Sequence, residues 1–287
     1  MEQRYILKNP KSFNLEHIFE CGQCFRWNKQ EDGSYTGIFK NNVLNVKQEG
    51  KDYIFRGICN KDIKQIVEEY FDLNRDYEKI KNILSDIDDS MATSIEYGEG
   101  IRLLNQDLWE MIISFIISAN NNIPRIKGIV ERLSAKYGKE IVFDEKKYYT
   151  FPTPEELKDV SVEEYRKLGL GFRDIRLYET VHMVLDGKVE LQKMSSEKDT
   201  LKIREELLSL SGVGPKVADC ILLFSTLKRL EVFPIDVWVR RVMNDLYIKK
   251  EDENKVNKKE IEKIAYEKFG NLAGIAQQYL FYWKREA

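Results

Sequence analysis

The sequence predicts an α+β fold in which an N-terminal antiparallel β-sheet domain packs on a mainly α-helical domain. Three observations lead there. Short stretches of alternating polarity, separated by turn residues, occupy the first sixty positions; helical periodicity takes over from about residue 100; and two of the later helices are joined by the tight turn Gly212-Val213-Gly214. The 287 residues are 43% apolar and 11% aromatic, enough for one large or two modest cores and against disorder. We place the domains at 1–100 and 101–287, with a helix-hairpin-helix at about 200–226.

Residues 34–40, 42–47 and 52–56 alternate as strands and are separated by Asn41-Asn42 and Glu49-Gly50-Lys51 turns. Helical patterns follow at about 61–72 and 76–85, and the polar run Ser85-Asp-Ile-Asp-Asp-Ser90 reads as a boundary. Leu108 to Ile117 is apolar on nearly every face, as a central buried helix should be. Asn120 to Asn122 break it; Pro124 starts the next helix, which ends near Gly138. Further helices are expected around 161–168, 172–185, 196–210, 215–226, 237–246, 257–268 and 273–284.

In the hairpin, one helix ends at Leu210 and the next begins at Pro215, a residue suited to a first turn whose N–H groups lack helical partners. Gly212 and Gly214 are both read as allowing φ > 0 and a close backbone approach. Such a turn can hold a DNA phosphate on its N–H groups. Lys216 follows in the first helical turn, and Asp236 precedes another helical run, where local rules make it an N-cap.

The combination of this Gly/Pro turn, Lys216 and Asp236 resembles the helix-hairpin-helix base-excision DNA glycosylases, and more narrowly the 8-oxoguanine DNA glycosylase/abasic-site lyases of the eukaryotic-like type. Four further segments carry the resemblance in the family's order: Cys21-Gly22-Gln23-Cys24-Phe25-Arg26-Trp27, Ser118-Ala119-Asn120-Asn121-Asn122-Ile123-Pro124-Arg125, Gly169-Leu170-Gly171-Phe172-Arg173 and Ala276-Gln277-Gln278-Tyr279-Leu280-Phe281. Together they cover nearly the whole chain.

The resemblance implies that Lys216 is the nucleophile of a Schiff-base mechanism and that Asp236 stabilises positive charge developing on the sugar. A neutral amine is needed for attack. The ordinary lysine pKa of ~10.4 must then be depressed, and a helix N-terminus and burial both push that way. By the same resemblance Gly22 offers a carbonyl to the proton on N7 of the oxidised base, Gln277 binds its pairing edge, and Phe281 and Cys220 lie on its two faces. Asn120 fills the gap left by the flipped nucleotide, Arg125 and Arg173 read the opposite cytosine, and Phe172 wedges beside it. Phe172 stands where the family usually has tyrosine, keeping the stacking surface without the hydroxyl, and Trp238 where it has histidine, so the roles of that hydroxyl and that imidazole do not carry over.

The implied partner is double-stranded DNA containing 8-oxoguanine, met by a monomer. An amine nucleophile requires no cofactor, and the hairpin carbonyls are compatible with a structural cation. The net charge of −2 gives no support to DNA binding; a local cluster (Arg125, Lys127, Arg132, Lys136 against Glu131) suits either a phosphate face or a solvated helix. Cys21 and Cys24 lack the further close ligands that a zinc site needs, and no iron–sulfur cysteine cluster is present. With no signal-like start and no membrane-length apolar run, we expect an intracellular protein acting in the cytoplasm at the nucleoid, or in a nucleus. Two other readings are weighed. A glycosylase for another damaged base, an alkylated purine or an oxidised pyrimidine, shares the fold; the monofunctional alkylbase enzymes lack the hairpin lysine. A non-catalytic hairpin protein has no need of Asp236 or of pocket residues scattered over both domains.

Overall fold

The computed structural model describes residues 1–252 and 255–286. Five strands form one antiparallel sheet: β1 (Glu2–Leu7), β2 (Trp27–Lys29), β3 (Tyr35–Phe39), β4 (Asn42–Glu49) and β5 (Asp52–Ile58), in the spatial order β1-β5-β4-β3-β2. The register lines up Tyr5, Phe55, Val46 and Tyr35 across four strands. Side chains on a strand alternate between faces, so this row defines one apolar face. It packs on the helices Leu15–Phe19 and Ile63–Tyr70 through Phe19, Trp27, Val67, Tyr70 and Phe71. The Phe19 and Trp27 rings stack 4.1 Å apart, and a Cβ at Gly37 would lie 2.2 Å from the indole. Only glycine fits there.

The opposite face carries Ile38 and Val43, which meet Phe143 of a small hairpin, β6 (Glu140–Phe143) and β7 (Lys146–Tyr149). Sequence patterning gives no sign of this hairpin. Its two turn residues, Asp144 and Glu145, sit at φ +46° and +59°, a conformation usually signalled by Asn-Gly or Asp-Gly.

Every residue from Leu108 to Ile117 is buried, as the continuous apolar run requires. This helix (Leu108–Ser118) is the axis of the helical region and packs against the helices Ile123–Tyr137, Asp174–Leu185 and Pro215–Phe224. The acidic run at 85–90 is not a linker. Asp88 caps a helix, Asp89–Tyr97, by accepting from the Met91 N–H at 3.0 Å, and that helix packs against the last one, Ala273–Glu286. Ile80, Leu84, Met91 and Ile95 therefore join the helical core, as do Cys21 and Phe25, whereas Leu104 joins the sheet's core. The two cores interlock in sequence, so a single cut at residue 100 does not separate them. No helix among the described residues is long and apolar enough to cross a membrane.

Candidate active site

The hairpin is built from the C-terminus of Thr200–Ser209 and the N-terminus of Pro215–Phe224. Gly212 takes φ +84°, and a Cβ there would lie 2.9 Å from Cδ of Arg176. Gly214 differs from the sequence expectation: it is the N-cap of the second helix at φ −94° and ψ 177°, extended backbone open to any residue. Its Cβ direction faces open space. What glycine supplies at 214 is clearance and not a special dihedral.

In the first turn of the second helix, the half-buried Lys216 runs between Cys220 and Asp236, with its Nζ 5.5 Å from the centre of the Phe115 ring. Asp236 is the N-cap of the helix Val237–Met243 and accepts from the Val239 N–H at 2.8 Å, which fixes the carboxylate. Gln277 and Phe281 come from Ala273–Glu286, one turn apart and hence on one side of it. Gly22, at φ +84°, comes from the loop before β2. A Cβ on Gly22 would sit 3.1 Å from Nη1 of Arg285 and 3.4 Å from the Phe281 ring. Gly22, Phe115, Lys216, Cys220, Asp236, Gln277 and Phe281 line one cavity of about 50 Å³. Phe115 was not foreseen, because nothing marks it within a uniformly apolar run. A larger hollow of about 470 Å³, between Tyr70 and Thr226, holds no comparable group of a lysine, a thiol and a carboxylate.

The electrostatics correct one expectation. The Cys220 sulfur, and after it Asp236, hold the Lys216 ammonium above the ordinary lysine value, against the burial that would lower it. Burial pushes the Cys220 thiol up to about 11, with Lys216 opposing. In this conformation the Lys216 pKa is thus moved up, opposite in direction to the depression expected from helix position and burial. The carbonyl oxygen of Gln277 (Oε1) is buried without a hydrogen-bond partner. Leaving such an acceptor unsatisfied costs ~1–3 kcal/mol, which a bound donor would recover. Cys21 and Cys24 direct their thiols to the Ile18 and Phe19 carbonyls.

The other site residues form a strip beside this cavity. Asn120 ends the Leu108–Ser118 helix at φ +51°, Asn121 donates to the Ile117 carbonyl at 3.1 Å, and Asn122 caps the next helix through the Arg125 N–H at 3.0 Å. Arg125 is exposed and reaches the Gly169 carbonyl. Arg173 is not: it is 2% exposed and donates to the carbonyls of Ala119, Asn120 (2.9 Å) and Leu170 (3.1 Å). Its guanidinium braces the Asn120 turn. Phe172 is 54% exposed, with the guanidinium carbons of Arg173 and Arg176 lying 4.2 and 5.2 Å from its ring centre. Burial, then Arg125 and Arg176, lower the pKa of Arg173, the mark of three crowded cations. Arg176 also stands where a side chain on Gly212 would meet it, which brings the strip to the hairpin. Sequence reasoning missed Arg176; its place four residues after Phe172 on a helix was the available signal.

The basic cluster read from composition dissolves. Lys127 donates to the Trp27 carbonyl at 3.0 Å, Arg132 to the Leu168 carbonyl at 2.9 Å, and Lys136 pairs with Glu164 at 3.1 Å. Trp238 stands 47% exposed beside Asp236. No group of three His, Cys, Asp or Glu side chains able to hold a metal occurs among the described residues.

Residues 5–112 match the family described as "8-oxoguanine DNA glycosylase, N-terminal domain", and residues 113–269 match "HhH-GPD superfamily base excision DNA repair protein". The chain is 31% identical over 318 residues to the N-glycosylase/DNA lyase of Saccharomyces cerevisiae, covering 95% of this chain and 84% of that one. Among solved structures it resembles the Clostridium acetobutylicum 8-oxoguanine glycosylase/lyase in complex with double-stranded DNA containing cytosine opposite 8-oxoguanine. That match has a TM-score of 0.92 and 42% identity, and covers 100% of this chain and 98% of that one. It also resembles MBOgg1 in complex with a low-affinity DNA ligand, with a TM-score of 0.93, 46% identity and coverage of 99% and 96%.

Proposed function

Because the chain belongs to the helix-hairpin-helix 8-oxoguanine DNA glycosylase family, we propose that its cavity is the pocket into which a flipped 8-oxoguanine is drawn, with Lys216 as nucleophile and Asp236 as its electrostatic partner. The protein is a bifunctional DNA glycosylase and abasic-site lyase of base-excision repair. The observation that carries the residue assignment is convergence. Lys216, Cys220 and Asp236, the Gly22 loop, and Gln277 with Phe281 come from three distant parts of the chain and line one cavity.

A base inside a duplex is out of reach of any side chain, so it must be extruded first. Lys216 then loses a proton and its nitrogen bonds to C1′ of the sugar, while the bond from C1′ to the base breaks and the base leaves with the electron pair. Positive charge builds on the sugar as that bond lengthens, and the fixed Asp236 carboxylate stabilises it in a site from which water is excluded. Ring opening gives a protonated Schiff base between Lys216 and the sugar. Loss of a C2′ proton followed by departure of the 3′ phosphate cuts the strand. An amine attacking carbon needs no activated water, so the chemistry draws on no metal or organic cofactor.

Recognition follows the same geometry. The unpaired Gln277 oxygen suits the N–H donors on a purine's pairing edge. Cys220 and Phe281 supply the two faces, and the Gly22 backbone meets N7, which carries a proton in 8-oxoguanine and a bare lone pair in guanine. The cavity of about 50 Å³ is far below the roughly 150 Å³ that holds even a benzene ring, so its lining has to open as the base enters. The strip from Arg125 through Asn120 and Phe172 to Gly212 and Gly214 faces the duplex. One flipped nucleotide engages one pocket, so a monomer is sufficient, acting wherever the cell keeps its DNA. Incubation with a duplex bearing one 8-oxoguanine opposite cytosine tests the activity. Free 8-oxoguanine and a strand cut without added alkali are the expected products; intact duplex would overturn the assignment.

A further inference from the structure

Gly22 owes its place at the cavity wall to side chains of the last helix and to its own neighbour in the loop. Gln278, 1% exposed, donates to the Cys21 carbonyl, and Arg285, two turns along the same helix, donates to the Glu20 carbonyl. Behind the loop, the fully buried Gln23 donates to the carbonyls of Ile18 at 2.8 Å and Arg102 at 2.7 Å and accepts from the Leu104 N–H at 2.8 Å. Gln106 then joins the Gln23 carbonyl, at 2.8 Å, to the Phe224 carbonyl at 3.1 Å, at the far end of the helix that carries Lys216. The loop is gripped from both sides.

The helix doing the front gripping, Ala273–Glu286, also carries Gln277 and Phe281 into the cavity. The adjacent Gln277 and Gln278 both border the cavity, and Gln278 in addition holds the loop through the Cys21 carbonyl. We propose that Gln278, assisted by Arg285, is a positioning residue for damage recognition. By holding the carbonyls of Glu20 and Cys21, it fixes the Gly22 backbone at a set distance from Gln277, so that the two edges of the base are measured within one rigid element. This rests on Gly22 being the reader of N7. Discrimination there depends on a single proton, and hydrogen bonds weaken steeply with misalignment. A loop free to drift would let guanine's bare N7 escape the repulsion that excludes it.

The test compares two activities of the intact protein: single-turnover release of 8-oxoguanine opposite cytosine, and strand cleavage at a preformed abasic site. The second uses the sugar chemistry but has no base to recognise. In Gln278→Met, which keeps side-chain bulk without the donor, base release is expected to fall about tenfold, the scale of one misaligned hydrogen bond, while abasic cleavage stays near wild type. Arg285→Ala, which leaves the core intact, should lower the same ratio about threefold. Ratios unchanged in both variants, or both activities falling in parallel, would overturn the proposal. Gly22→Ala separates this from its premise. A wild-type ratio in Gly22→Ala would remove Gly22 as reader; a lowered ratio there with unchanged Gln278→Met and Arg285→Ala would remove only the positioning role.

Discussion

As the proposed nucleophile, Lys216 has to lose a proton before it attacks a sugar, and its surroundings, Cys220 first and then Asp236, raise its pKa against that loss. Below the lysine pKa the neutral fraction rises about tenfold per pH unit, so single-turnover base release should climb from neutral into alkaline pH. A rate flat over this range would place the proton's departure outside the measured step. Asp236→Asn retains an oxygen to accept from the Val239 N–H, so its stability cost should stay below ~1 kcal/mol. Loss of the charge should nonetheless slow base release about a hundredfold or more. Near-wild-type turnover would reduce Asp236 to a helix cap. The positions of Lys216 and Asp236 were legible because the hairpin and the cap fix them locally. The charge state of Lys216 was not, because it depends on Cys220 and Asp236 meeting it in space. The Arg173 contacts were not legible either: its donors close on the Asn120 turn, a contact between segments more than fifty residues apart.

Among the elements, the hairpin makes the sharpest distinction between two residues of one type. Gly212→Ala places a methyl at φ +84° and against Arg176, and should cost about 1–2 kcal/mol of stability. Gly214→Ala meets no atom within 4 Å and needs no unusual dihedral, so it should leave stability unchanged and weaken DNA binding by intruding on a phosphate. Thermal unfolding and duplex titration check both; equal DNA affinity in Gly214→Ala and wild type would take the hairpin off the interface. Long periodic helices, such as Leu108–Ser118 and Ile123–Tyr137, were plain in the sequence. The helix Asp89–Tyr97 was not, because its acidic cap resembles a linker, and the β6–β7 hairpin was hidden by a turn lacking glycine.

For the whole molecule, the interlocked cores explain how segments as distant as Gly22 and Gln277 stay in register around one pocket. The opposite-base preference also belongs to this scale, since Arg125 and Phe172 come from different helical units and face the same side. Cytosine offers acceptors to a guanidinium where adenine presents a donor, so 8-oxoguanine should be released faster opposite cytosine than opposite adenine. With the Arg173 donors on the Asn120 turn, the exposed Arg125 is the arginine we propose for that reading, and Phe172 has no hydroxyl to assist it. Arg125→Ala should therefore bring the cytosine and adenine rates together; an undiminished preference would assign the reading elsewhere.

The account stands on Lys216 forming the covalent link. Borohydride reduction during reaction with an 8-oxoguanine duplex, followed by peptide mapping of the trapped complex, measures that link directly. The expected result is one adduct at Lys216, absent in Lys216→Gln even though that variant still binds damaged duplex. An adduct mapping to another lysine, or trapping that persists in Lys216→Gln, would contradict it.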